Sequence, residues 1–291
     1  MKREFLFGKL SNISDLPTLP AVMNRLAAAV SDPEADADRI AGIIRDDPSM
    51  MARILKVVNS AAYGASSQII SLQQAVSRLG LRGVQNIALS TSVFQTFAGK
   101  GSTSFDREEF WKHSVCVGIG ANVLYERTRE NLSQRHTRDL LHLAGLLHDI
   151  GKIVFEQFFH DDFVKALEIA ARDAVPLFQA ERSVFGADHC EVGAWLAAKW
   201  NLNEEITEAI RWHHEPENAA ERHVELVRLC HTANYINCLE KIGDGGDNHA
   251  PVFMIGVWKR MGLKVRDIQD IVKAVIEGSE HSETLLAFMR G

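Results

Sequence analysis

Three things are scarce in this sequence of 291 residues, and each scarcity closes off a class of protein. Cysteine occurs only at Cys116, Cys190, Cys230 and Cys238, with no CxxC spacing. A chain this long can bury a core without cross-links, so reduced thiols in a cytoplasm fit better than a disulfide scaffold. Basic clusters are missing too: 32 Lys and Arg face 38 Asp and Glu, for a formal charge of −6. Neutralising a phosphate backbone takes a concentrated positive surface, so no nucleic-acid partner is expected. Long apolar runs are the third absence. No segment approaches the roughly 20 apolar residues that cross a bilayer, and "MKREFLFGKLSNISDLP" has too short an apolar stretch, and no small-residue cleavage site, to act as a signal peptide. The expectation is a cytoplasmic protein with no membrane partner.

Period-2 alternation is nearly absent as well, while apolar spacings of three and four recur throughout, which predicts an all-α fold. In "DDPSMMARILKVVNS" Asp47 is placed to cap, Pro48 suits the first helical position, and Met51, Ile54, Leu55 and Val58 make one apolar stripe. "SLQQAVSRLG" repeats the pattern, with Ser71 as N-cap, Leu72, Ala75, Val76 and Leu79 inward, and Gly80 as the stop. "GVQNIALSTSVFQTF" continues as a further helix. More helices are expected around 107–129, 137–149, 161–173, 187–200, 203–214 and 221–240, followed by an amphipathic tail helix in "KVRDIQDIVKAVIEG". Two stretches interrupt the periodicity, "AGKGSTSFD" at 98–106 and "KIGDGGDNHAP" at 241–251, and both read as boundaries. They divide the chain into 1–100, 101–243 and 244–291. No fixed-period repeat or low-complexity tract is present, which excludes a solenoid.

Histidine and carboxylate supply the chemistry. The run "HLAGLLHDIGKIVF" is almost entirely apolar yet carries His148 and Asp149 side by side, with Lys152 just beyond. "REEFWKHSVCVG" sets Glu109 and His113 four apart on one helix face. "ADHCEVGAWLAAKW" supplies His189, "AIRWHHEPE" ends a helix with His213 and His214, and "LCHTANYI" offers His231 and Asn234. Imidazole nitrogens and carboxylate oxygens drawn from several helices can converge on a divalent transition metal, Fe, Mn, Ni or Zn. A buried ionised Asp, costly alone, becomes favourable beside such a charge. Singly, each residue has an ordinary explanation: Glu109 and His113 as an exposed pair, and His213, His214 and Glu215 as a polar helix end.

The order of motifs resembles the HDOD family, a signalling-associated branch of the HD metal-dependent phosphohydrolase superfamily. "LPTLPAVMNRL", "IIRDDPSMMARILKVVNSAAYG" and "SLQQAVSRLGLRGVQNIALS" carry the resemblance, followed by "FWKHS" and "LLHDIGKIVF", and together they cover roughly residues 13 to 215. The resemblance implies two helical lobes, an HDOD-specific one over 1–100 and an HD-like one over 101–243, with 244–291 as a helical extension packed on the second. By similarity to the HD-GYP cyclic-dinucleotide phosphodiesterases, Glu109, His113, His148, Asp149, Lys152, His189, His213 and His214 fall where ligands or phosphate-facing residues belong. Two departures stand out. Asn234 occupies the position of the last acidic ligand, and an amide oxygen is a weaker, neutral donor. The GYP segment is missing, since "HHE" runs straight into "PENAAERHVELV", which disfavours cyclic-dinucleotide cleavage.

Two functions follow. The first is a regulatory, signal-transduction module of the HDOD type, holding one or two metal ions and acting on a signalling protein or a nucleotide. The alternative is a metal-dependent phosphohydrolase in which two ions about 3.5–4 Å apart activate water. Asp149 bridges there, with His148, His113 and Glu109 on one side and His189, His213 and His214 on the other, while Lys152 neutralises developing charge.

Overall fold

The structure, a computed structural model, describes residues 2–13, 18–60, 68–97, 104–247, 251–280, 282, 286 and 287. It is all-α, with no strand among the described residues. In chain order the helices are α1 (Arg3–Ser11), α2 (Ala21–Val30), α3 (Ala37–Arg45), α4 (Pro48–Val58), α5 (Leu72–Phe97), α6 (Arg107–Thr128), α7 (Arg138–Leu147), α8 (Ile150–Phe158), α9 (His160–Asp173) and α10 (Leu177–Phe185). After them come α11 (His189–Lys199), α12 (Glu204–Trp212), α13 (Val224–Leu239), α14 (Ile255–Arg260) and α15 (Ile268–Ser279), with 3-10 turns at Pro216–Asn218 and Val265–Asp267.

Helix starts follow side-chain chemistry. Asp47 accepts from the Met50 amide at 2.9 Å, with Pro48 in the first turn, and the Ser71 hydroxyl accepts from the Gln74 amide at 3.2 Å. Both satisfy amides that a helix leaves without partners. Gly80 does break the helix, but as a kink: with φ 75° and ψ 173° it interrupts α5, which resumes at once. The buried stripe of α4 is Met50, Ile54, Val57 and Val58, one step round from the expected one; Met51 and Leu55 are only half-buried. The front helices α2 to α5 pack on one another around such aliphatic side chains.

The rear bundle is organised around α6, which packs against α7, α13 and α15. Its approach to α7 is main chain on main chain: a Cβ at Gly145 would fall 2.2 Å from the Gly118 nitrogen. The contact between α8 and α11 is of the same kind, since a Cβ on Gly151 would meet the His189 carbonyl at 2.0 Å. Front and rear meet where α5 packs on α7, and there the buried Asn86 amide donates to buried Asp139 at 2.7 Å. The N-terminal helix departs from the expected partition. Arg3 pairs with Glu191 at 2.5 Å, and Phe7 lies with its ring centroid 6.3 Å from that of Trp195, so α1 rests on α11 in the rear.

Helices α1, α2, α8, α10 and α14 were not expected from periodicity. The expected helix over 137–149 ends earlier, at Leu147. Of the two expected boundaries, 98–103 lies outside the described residues, as do 248–250 of the second and 61–64 within "NSAAYG". Residues 241–247 are no linker, as the next subsection describes.

Candidate metal centre

The candidate residues sit mostly at helix ends, where side chains can leave the helix surface. His148 and Asp149 form the joint between α7 and α8, and Asp149 has left helical geometry at φ −102°, ψ 10°. This is the structural answer to an imidazole and a carboxylate side by side in an apolar run: the helix stops there, so both neighbours face one interior point. His189 opens α11, held by the Asp188 cap, whose carboxylate accepts from the Glu191 amide at 2.9 Å. His213 and His214 follow the last residue of α12. Of the clustered histidines, His113 alone lies mid-helix, in α6.

Asp149 divides the cluster. Its Oδ2 faces His148 Nε2 at 3.2 Å and His113 Nε2 at 4.0 Å, and accepts from Lys152 Nζ at 2.7 Å. Its Oδ1 faces His189 Nε2 at 3.2 Å and His213 Nε2 at 3.3 Å. On that second side His189 Nε2 is 3.1 Å from His214 Nε2 and 3.4 Å from His213 Nε2. His148, Asp149, Lys152, His189 and His213 are 0% exposed.

The opposite ring nitrogens fix the tautomers. Nδ1 of His148 donates to the Gly145 carbonyl at 2.7 Å and Nδ1 of His213 to the Ile210 carbonyl at 2.9 Å, because a carbonyl can only accept. His189 Nδ1 lies 2.6 Å from the buried Glu181 carboxylate. In the neutral rings Nε2 is therefore a bare lone pair aimed inward, and the atoms His113 Nε2, His148 Nε2 and Asp149 Oδ1 are buried without any hydrogen-bond partner. With all three rings neutral, lone pairs at 3.1–3.4 Å repel, and either a proton on His189 or a cation between the rings relieves this. Tetrahedral coordination with N and O donors near 2.0–2.1 Å spaces the donors by roughly 3.3 Å, so the second set fits a transition metal. The backbone and carboxylate partners of the other ring nitrogens are the kind that orient metal-bound histidines.

Electrostatics agree. Burial pushes His113 down to about 4, reinforced by His148, and burial likewise lowers His148. His214 is held well below the ordinary range by burial and by His213 and His189. Burial acts to raise Asp149, but His148 and Lys152 outweigh it and keep the carboxyl well below its usual range. Burial disfavours charge on His189 too, yet Glu181 overcomes it and raises that imidazole. Burial thus favours the neutral form of His113, His148 and His214, Glu181 favours the charged form of His189, and the Asp149 carboxylate between them is held ionised.

Two expected ligands stand apart. Glu109 is half-exposed, 3.8 Å from Lys112 Nζ, and the chain at Gly243 packs against its carbonyl and the His113 amide. Asn234 is buried, but its Oδ1 accepts from Cys238 Sγ at 3.3 Å. His231 lies one layer out, its Nδ1 donating to the His213 carbonyl at 2.7 Å.

Three residues were not foreseen. Cys190 puts its sulfur 3.8 Å from both His213 nitrogens and within reach of the same donor set, although burial raises its thiol to about 12. Glu181 sits eight residues before His189, on α10, and only folding reveals its role. Asp247 belongs to the stretch read as a boundary: its carboxylate accepts from Lys152 Nζ at 2.5 Å, while Gly245 lies on His113 and Asp149. An Asp among glycines after a polar helix was the one available signal.

A buried cluster of histidines around one aspartate thus lies among helices that touch through their backbones. The HDOD domain family matches residues 16–216, and the chain belongs to that family. A crystal structure of an HDOD domain protein from Geobacter sulfurreducens shares 28% identity and superposes with a TM-score of 0.72 over 95% of this chain and 98% of that one. A Shewanella amazonensis SB2B protein, provisionally named a metal-dependent phosphohydrolase, has the same fold at 24% identity and TM-score 0.66, over 96% of this chain and 98% of its own. A Treponema pallidum (strain Nichols) protein is 30% identical over 222 residues, 76% of this chain, and the chain spans 42% of that relative's length. No helix among the described residues is long and apolar enough to cross a membrane.

Proposed function

We propose that the chain is a regulatory HDOD module built around a closed metal centre, which acts through a signalling protein or a nucleotide. The observation that carries this is the convergence of His189, His213 and His214 Nε2 with Asp149 Oδ1, with Nδ1 of His189 and of His213 already engaged elsewhere. A divalent transition ion would be held there, with His113 and His148 on the other face of Asp149 as a second set. The ion supplies the positive charge that the buried carboxylates lack. It would tie α6, α7, α11 and α12 together, so that occupancy and helix packing become one equilibrium. A module whose packing depends on its ligand can report that ligand to a partner.

Hydrolysis of a phosphodiester is the second reading, favoured by Lys152 beside Asp149. Against it stand complete burial of the centre and Asn234 in place of an acid. Metal analysis of the purified chain, followed by a phosphodiesterase and phosphatase screen with added Mn or Fe, separates the two. Bound metal without turnover supports the module; turnover abolished by His148→Ala supports the enzyme. In the module His189→Ala lowers both metal content and thermal stability. A variant that melts like the metal-bearing parent defeats the structural role.

A further inference from the structure

The second Gly-rich stretch runs from the end of α13 directly over the centre. Gly243, in the left-handed region at φ 67°, places its backbone where a Cβ would be 2.3 Å from the His113 nitrogen, so only glycine fits. The Asp244 amide then donates to the Glu109 carbonyl at 3.1 Å. Gly245 lies on the His113 imidazole: a Cβ there would come within 3.1–3.2 Å of that ring and 3.4 Å of Asp149 Oδ2. The segment ends with Asp247 on Lys152.

Lys152 has three protons and three acceptors: Asp149 at 2.7 Å, Asp247 at 2.5 Å and the Gly245 carbonyl at 3.0 Å. It has no donor left for a ligand. Asp149 alone balances the ammonium, so Asp247, only 5% exposed, is a surplus buried negative charge. Such a charge is tolerated where a further cation faces it. A carboxylate on a buried ammonium beside a cation site is chemically what a phosphoryl oxygen would be in the same place.

We infer that residues 243–247 form a strap whose Asp247 carboxylate stands in for an oxyanion on Lys152, so that the centre admits a phosphate group only when the strap is displaced. This rests on reading the cavity as a metal centre, and it gives the ligand class of that centre: a phosphate or phosphate ester whose charge replaces that of Asp247. The strap is suited to leave. Among the described hydrogen bonds one backbone bond fastens it to α6, and the remaining polar ties to the centre are the two acceptors on Lys152. Displacing both acceptors with one phosphate exchanges like for like at the ammonium. The bound anion and the released strap then form the two states that a partner can distinguish.

The test compares the full-length wild type with Asp247→Asn and Asp247→Ala by metal analysis and by calorimetric titration with inorganic phosphate. An occupant that masks a site weakens apparent affinity by the fraction of time the site is open. The expected result is unchanged metal content and a gain of about tenfold or more in phosphate affinity for both variants, removed when Lys152→Met is added. In the wild type, phosphate should also speed hydrogen exchange of the Asp244 amide. Asp149 and the Gly245 carbonyl remain as two acceptors on Lys152 in either variant; should Asp247→Ala not fold, Asp247→Asn keeps the shape and decides. Equal phosphate affinity in wild type and variants, or a gain that survives Lys152→Met, overturns the strap and leaves Asp247 as a fixed ion-pair partner. Absence of metal from every form defeats the metal-centre reading instead, and the phosphate comparison on Lys152 still judges the strap.

Discussion

The front and rear bundles use their interiors differently. Between α2 and α5 the buried volume is aliphatic, with Leu26, Ile40, Ile44, Ile54 and Val84 all but fully enclosed. Of the polar groups there, Thr91 bonds within its own helix, to the Ala88 carbonyl at 3.0 Å, and Asn86 bonds across to α7. The rear bundle, of similar helical construction, encloses His113, His148, Asp149, Lys152, Glu181, His189 and His213. Apolar packing of equal volume is as stabilising as buried charge or more so. The rear therefore gives up stability for a polar interior, and such a concession marks where function is located. Two polar links among the described residues tie front to rear: Asn86 on Asp139, and the Arg107 guanidinium of α6, which donates to the Phe97 carbonyl of α5 at 3.3 Å.

Four substitutions or conditions sharpen this contrast, in descending order of effect. Asp149→Ala removes the carboxylate shared by both histidine sets and one of the two countercharges of Lys152. It is expected to empty the centre of metal by elemental analysis and to destabilise the fold by about 3–5 kcal/mol in denaturant titration. Ile54→Ala, in the front, should cost about 2–5 kcal/mol through the cavity it leaves, with metal stoichiometry unchanged. If Ile54→Ala also stripped the metal, the two bundles would be one functional unit and the contrast would fail.

Acidification comes third. Burial, aided by Arg138, holds the largely buried His142 of α7 near 4. Its unfolded value is about 6.5, so the unfolded chain binds this proton more readily. Stability is full above about pH 6.5 and is lost as pH falls towards 4, by no more than about 3 kcal/mol. His142→Gln should flatten that slope in thermal melts of chelator-treated protein. Asn86→Ala is the smallest: it leaves a buried Asp139 oxygen without its donor, for about 1–3 kcal/mol, and metal content should not move.

Much of this was legible in the chain. Caps such as Asp47 and Ser71 declare themselves because they act on amides two or three residues away, and the family motifs in the front half are contiguous. His113, His148, Asp149, His189, His213 and His214 could be named because inward polar residues violate the local apolar period. Their convergence could not be read, since it depends on where α7 and α12 end and α11 begins: the expected helix through 149 hid the joint at His148 and Asp149. Glu109 lies outside both clusters, since i,i+4 spacing fixes only a helix face and not what that face meets. Asp247 and Glu181 reach the site through tertiary contacts that leave no periodic trace. Cys190 was passed over because a buried cysteine beside apolar neighbours reads as packing. The run at 241–247 looks like a linker because of its three glycines, and two of these, Gly243 and Gly245, are where its backbone comes close to His113.

The Gly118–Gly145 crossing bears on which ion fits. Where two helices touch through their main chains, no side chain remains to shrink or swell and so adjust the gap between His113 and His148. The span available to a cation is then set by the radii of backbone atoms, and ions of the wrong size must distort their ligands or stay out. Discrimination among metals of similar chemistry would thus lie partly in two residues that never touch the ion, and Gly145→Ala should change relative affinities across the Mn-to-Zn series before it changes the ligand set.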